Sequence, residues 1–248
     1  MIKEIRTFFN FLIREKNHSI GNFHQQFYIY KEDTQILILQ PDQIQYLINP
    51  ESSNGLRPVL LKVKDILLAG CTVALRYSDL MNLKKANLQF YNRRYYLKVQ
   101  SKKTHIYTSI KLPDYITEIF KSYAAKNGRL LPYFNIVRLN LYCKELALHF
   151  NWTNEIVKTR QKRGKAVVIY KNSKQKLHYR FCDLISSHIM RRTAITTMLR
   201  LEMPEHLVKK ISGHAANSIE FHKYVSISQN YLDAETDKVF AKLNSKNQ

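Results

Sequence analysis

Carboxylates are scarce in this chain. Nineteen Asp and Glu stand against forty Lys and Arg in 248 residues, a formal net charge of +21. That imbalance is hard to reconcile with an acidic protein partner alone, and a polyanion is its natural counterpart. Charge by itself leaves nucleic acid, an anionic membrane and heparin open. Long apolar runs are missing too: nothing approaches the ~20 apolar residues that span a bilayer. The opening MIKEIRTFFNFLIREKNHS is broken by charge too often for a secretory segment. The expectation is a soluble cytoplasmic protein with no membrane partner. Cysteine is sparse and odd in number, with Cys71, Cys143 and Cys182 widely spaced and never paired as Cys-x-x-Cys. A disulfide framework and a structural zinc site are thereby disfavoured, leaving three reduced, mostly buried thiols. No internal repeat or low-complexity tract is present.

What is present suits a packed core, with 45% hydrophobic residues. Phe8, Phe9, Leu12 and Ile13 recur at helical spacing and predict an amphipathic helix ending near KNHSIGN. A helical block runs from about 42 to 84, interrupted by ESSNGLR. ANLQFY, YYLKVQ and HIYTSIKL follow as a small antiparallel meander, with Asn92-Arg93 in its first turn and Lys102-Lys103-Thr104 in its second. Further helices are expected over YITEIFKSYAAKN, stopped by Gly128, and over NIVRLNLYCKELALHFNW. The stretch 155–182 carries a basic cluster followed by the β-rich VVIY and reads as a strand pair or extended loop on the DNA side. Ser186-Ser187 is placed to cap HIMRRTAITTMLRLEM, Pro204 to open EHLVKKIS and Gly213 to end it. The fold class is α+β, mainly α, with a small three-stranded antiparallel sheet.

Within this frame one set of residues suits phosphoryl chemistry. His188 and Arg191 lie three apart on one helix face, Gly213-His214 follows a helix stop, and Tyr224 lies ten residues beyond His214. Arg76 sits upstream at a junction between helices. Singly each is ordinary, and a surface histidine beside a solvated arginine is the default for His-x-x-Arg in so basic a chain. Together they answer a specific demand. A pentacoordinate phosphorus accumulates charge on its non-bridging oxygens, and two guanidinium forks can bind them. A phenol of pKa ~10 needs a base or a positive field to attack at neutral pH; His188 is the candidate base. The departing sugar oxygen needs a proton, which a lysine in a mobile hairpin such as Lys103 could supply.

ALRYSDL, QSKKT followed by IKLP, ISSHIMRRTAITTML, and ISGH leading to HKYVSIS resemble the tyrosine recombinases, or phage-integrase family, from about residue 40 to 230. LISSHIMRRTAITTM and KISGH look especially like integrases of Bacteroidetes mobile elements. The resemblance implies a DNA-cleaving and rejoining enzyme that forms a 3′-phosphotyrosine and passes through a four-way junction without ATP, metal or other cofactor. It would act on bacterial duplex DNA to integrate or excise a mobile element. By position it makes Arg76 and Arg191 the phosphate clamp, Lys103 the general acid, His188 the base or proton partner, His214 a phosphate ligand and Tyr224 the nucleophile. Lys102 adjoins Lys103; Lys-Thr fits the family's turn better. Family members usually place the nucleophile one residue sooner after the histidine, and an extra loop residue near Ala215-Ala216 would absorb the difference. Tyr231, seventeen beyond His214, is the competing nucleophile.

The resemblance further implies that residues 1–40 hold the last helix of a core-binding domain plus linker, in a catalytic-domain fragment or a short member. Residues 41–226 would be the catalytic domain. Residues 227–248 would be a helix and tail that packs on its own domain or docks on a neighbouring subunit, in a homotetramer on DNA with possible DNA-bending accessory proteins. Lys102, Lys158, Arg160, Lys162, Arg163, Lys165 and Arg192 are expected to contact DNA, although a basic run is ordinarily a solvated face. Asp79 is expected to buttress an arginine or carry a simple helix charge, and His222 to be a solvated loop residue. A type IB topoisomerase and a catalytically silent DNA-binding protein are the competing functions.

Overall fold

A computed structural model describes residues 2–27, 36–102, 107–162, 165–215, 218–227, 233 and 236–237. The chain runs through α1 (Ile2–Lys16), α2 (Pro41–Ile48), α3 (Pro58–Val73) and α4 (Tyr77–Leu80). It continues as a meander of β1 (Leu88–Tyr91), β2 (Arg94–Gln100) and β3 (Tyr107–Lys111), then α5 (Asp114–Asn127) and α6 (Ile136–His149). Next come β4 (Glu155–Ile156), β5 (Lys158–Lys162), β6 (Lys165–Ile169) and β7 (Tyr179–Arg180), followed by α7 (Phe181–Leu184), α8 (Ser187–Arg200), α9 (Glu205–Ser212) and α10 (Ile219–Ile227).

α3 is apolar around most of its circumference, the pattern of a helix buried on all sides, and Pro58 starts it where a missing N–H costs nothing. Val63, Ile66, Leu67, Ala69 and Val73 are fully buried. α8 crosses it, burying Ile189, Met190, Ala194 and Ile195. The two backbones approach closely at Gly70, where an added Cβ would lie 2.5 Å from Met190 Sδ and 2.8 Å from Met190 Cβ. Thr193 Oγ1 on α8 also accepts the Leu39 backbone N–H at 2.9 Å, tying the entry to α2 onto the same helix.

The meander forms as expected, in the order β1-β2-β3, with Leu97 paired to both Leu88 and Ile110. Asn92 and Arg93 both take positive φ (46° and 58°), the backbone of a two-residue hairpin turn whose twist matches the strands. The stretch 155–182, read as a strand pair or extended loop, forms two pairs, β4 with β7 and β5 with β6. Of the basic run, Lys158, Arg160 and Lys162 lie in β5 and Lys165 begins β6. Cys71, Cys143 and Cys182 are buried free thiols. Ser186 stands at the N-cap of α8 without a side-chain capping bond; the Ser187 N–H is instead satisfied by Asn140 Oδ1 at 2.8 Å.

The tightness of the α3–α8 crossing is testable. Gly70→Ala should destabilise the protein by about 1–3 kcal/mol, because Met190 Cβ cannot withdraw without moving α8. Urea denaturation with an unchanged midpoint would contradict this.

Candidate active site

Arg76 is the N-cap residue of α4, just past the end of α3. The turn before it places Ala74 in the left-handed region (φ 55°), a conformation that costs a non-glycine residue about 1 kcal/mol or more. That turn aims the Ala74 carbonyl at α8, where it accepts a 2.9 Å hydrogen bond from Arg191 Nη1. Arg76 Nη1 donates to Ser101 Oγ at 3.0 Å, one residue past β2. The start of the second hairpin is held from the same helix: buried Asp79 accepts the Lys102 backbone N–H at 3.3 Å. Asp79 thus supports the hairpin, where the sequence suggested an arginine buttress or a helix charge.

α9 ends in a Schellman motif. Gly213 takes φ 65°, its N–H reaches the Lys210 carbonyl, and the His214 N–H reaches that of Lys209 at 3.0 Å. The reversal delivers His214 to Arg191, whose Nη2 lies 3.2 Å from Nε2 and 3.4 Å from Nδ1. Ser212 Oγ lies 2.7 Å from Nδ1. Tyr224 belongs to α10, where the sequence suggested a loop, and His222 is likewise an exposed helical residue. α10 is pinned by Phe221, fully buried in a cluster with Ala74, Ala194, Ile195, Leu199 and Val208, against which Tyr224 packs. The Tyr224 and His214 ring centroids are 6.0 Å apart.

These side chains share one cavity of about 570 Å³, lined by Arg76, Tyr77, Ser187, His188, Arg191, Arg192, His214, Lys223 and Tyr224 among others. Five of the six expected catalytic residues meet there; Lys103 lies outside the described residues. Arg192 joins them, while Lys158, Arg160 and Lys165 are exposed on the β5–β6 ribbon and Lys102 is exposed on the hairpin. Arg163, Tyr231 and the proposed loop insertion at Ala216 fall outside the described residues. Ser101 and Ser212 were not singled out by sequence. Ser212 carried one usable signal, its place two residues before the Gly-His histidine at a helix end.

Burial, followed by the positive fields of Arg191, Arg76 and Lys209, pushes His214 down to about 3, so the ring is neutral at physiological pH. The cavity therefore concentrates cationic donors around a neutral imidazole and a phenol, an arrangement suited to an anionic ester. Among the described residues no group of acidic, cysteine or histidine side chains is arranged to hold a metal ion.

The profile of the phage integrase family matches residues 38–230, which include all these cavity residues except Ile36. The chain belongs to the phage integrase family. Three solved structures are similar to this chain in fold. The Tn1549 transposon integrase with a circular-intermediate DNA is 16% identical with TM-score 0.60, covering 96% of this chain and 77% of that one. A lambda integrase dimer bound to a core site is 12% identical with TM-score 0.59, covering 90% and 70%. The XerH site-specific recombinase bound to difH is 15% identical with TM-score 0.51, covering 82% of this chain. This chain spans about half the length of the XerH chain, 53%. At such identities the likeness is one of fold, a mainly helical catalytic domain with small antiparallel sheets. Among curated proteins none matches it in sequence. No helix among the described residues is long and apolar enough to cross a membrane.

The lowered His214 value has a definite consequence. Unfolding frees the imidazole to bind a proton near its ordinary 6.5. The stability gained by holding the ring neutral is complete above that pH and is lost as pH falls toward 3. Relative to His214→Asn, the wild type should lose at most about 1 kcal/mol per pH unit below 6.5, after screening. Urea midpoints that run parallel from pH 7 to 4 would contradict it.

Proposed function

We propose that this integrase cleaves and rejoins duplex DNA through a covalent bond between Tyr224 and phosphorus. The observation that carries the proposal is the common cavity: Arg76, His188, Arg191, His214 and Tyr224, from α4, α8, the end of α9 and α10, line one space. Family membership supports it, as does the likeness in fold to integrases and a recombinase solved with DNA.

In the proposed reaction a phosphodiester binds between Arg76 and Arg191, which offset charge developing on the non-bridging oxygens. His188 takes the phenolic proton as Tyr224 Oη forms its bond to phosphorus. The bond from phosphorus to the 5′ oxygen breaks, and that oxygen takes a proton from Lys103. The 3′-phosphotyrosine keeps the energy of the broken ester, so a 5′ hydroxyl from another strand can reverse the step with no ATP. Two rounds through a four-way junction complete exchange, for integration or excision of a mobile element. We assign residues 41–226 to this chemistry, the basic residues Lys102, Lys158, Arg160, Lys162, Arg163, Lys165 and Arg192 to DNA contact, and residues 227–248 to assembly of a homotetramer on DNA, with DNA-bending accessory proteins as partners in that assembly.

A nicked duplex carrying the element's end should trap a covalent adduct that migrates above free protein. Tyr224→Phe should abolish it, and Arg191→Ala should slow its formation by about 100-fold. Exchange between two duplexes distinguishes a recombinase from a topoisomerase, and DNA binding with no adduct identifies a silent relative. An undiminished adduct with Tyr224→Phe overturns the assignment. DNA affinity should also fall by about 100-fold or more between roughly 50 and 200 mM salt. A salt-insensitive affinity would remove phosphate contact as its source.

A further inference from the structure

The imidazole of His214 is gripped at both nitrogens, and the donors around it fix where its proton lies. Ser212 is buried at the end of α9, and its Oγ lies 2.6 Å from the Val208 carbonyl oxygen, one helical turn back. A carbonyl only accepts, so the serine hydroxyl proton points to Val208. Ser212 Oγ must then accept from His214 at 2.7 Å, which puts the ring proton on Nδ1. Arg191 Nη2 lies 3.2 Å from Nε2 and 3.4 Å from Nδ1, so this donor faces both ring nitrogens and the choice of tautomer falls to Ser212. The chain Nδ1–H to Ser212 Oγ–H to Val208 O is continuous and leaves Nε2 as an acceptor.

A bare Nε2 is the wrong form for holding an anion, because a phosphate oxygen accepts and needs an N–H. We propose that Ser212 is the positioning residue for His214. Its hydroxyl holds the ring and sets the tautomer: Nδ1–H while Arg191 rests against the ring, and Nε2–H once a phosphate oxygen draws Arg191 away. The serine hydroxyl then turns from Val208 O to Nδ1 as the ring exchanges protons with water. Nδ1 releases its proton to water while Nε2 takes one from water, so the ring stays neutral and no proton is gained overall. Arg191 from α8, Arg76 from the start of α4 and Lys209 from α9 face the ring with positive charge, and Tyr224 from α10 packs beside it. That field disfavours an imidazolium, which makes exchange between neutral tautomers the available route. The role of the switch rests on the DNA-cleavage reading, whereas the resting tautomer does not.

The test uses the full chain labelled with 15N-histidine, long-range 1H–15N correlation at neutral pH, and His214→Asn to assign the signals. Wild type alone should show His214 protonated at Nδ1, and added inorganic phosphate should move the proton to Nε2. Ser212→Ala should show Nε2–H without phosphate, and Ser212→Thr, which keeps the hydroxyl, should behave as wild type. In the nicked-duplex reaction Ser212→Ala should form adduct about 10- to 100-fold more slowly, with Ser212→Thr restoring the rate. Wild-type Nε2–H in the absence of phosphate, an alanine variant that keeps Nδ1–H, or a tautomer that ignores phosphate each overturns the proposal. If wild type forms no adduct while the tautomers behave as stated, the cleavage reading fails and the positioning role of Ser212 stands. Should Ser212→Ala not fold, the wild-type and Ser212→Thr spectra still decide the resting tautomer and the phosphate response.

Discussion

Arg191 ties α8 to α3 through the Ala74 carbonyl at 2.9 Å, and the cavity depends on that tie. Arg76 and Arg191 are remote in sequence, and only the packing of these two helices brings their guanidinium groups together. The packing is close because Gly70 lets Met190 of α8 lie directly on the α3 backbone. The same crossing sets the second cluster, where Ala74, Ala194 and Ile195 receive Phe221 and so fix the helix that carries Tyr224. Core and site are one construction: apolar burial does the positioning, and the left-handed turn at Ala74 is a local strain that the crossing sustains.

Electrostatics adds a second constraint. A chain with a formal charge of +21 gathers several cations around one cavity, and the self-repulsion is limited by keeping His214 neutral and by binding Arg76 and Arg191 to the neutral oxygens of Ser101 and Ala74. Such a site is tense without an anion and relaxed with one, which is the sense in which a phosphate ester completes it. Asp79, buried three residues after Arg76, accepts from the backbone at Lys102 and so couples α4 to the start of the second hairpin.

Much of this was legible in the sequence because periodicity and punctuation carry it. The apolar run of α3, the Asn92-Arg93 turn, Gly128 and Gly213 all act through local backbone preference, and each element formed where they indicate. His188 and Arg191 share the cavity because a helix puts positions three apart on one face. The rest depended on contacts that local patterns do not encode. The strand pair or extended loop read over 155–182 left its partners open, and Lys158 and Arg160 find theirs in Ile169 and Val167. Tyr224 looked like a loop residue because nothing nearby signals a helix; buried Phe221 supplies the anchor. Ser101 and Ser212 are chemically unremarkable until an arginine and a histidine arrive at their hydroxyls.

Tyr224, held beside His214 in the cavity that Arg76 and Arg191 also line, is the proposed bridge to DNA. Mass spectrometry of the protease-digested covalent adduct from a nicked duplex tests it most directly, because it reads the attachment site residue by residue. The account predicts a nucleotide-bearing peptide modified at Tyr224. Modification at Tyr231, at any other residue, or none at all would contradict it.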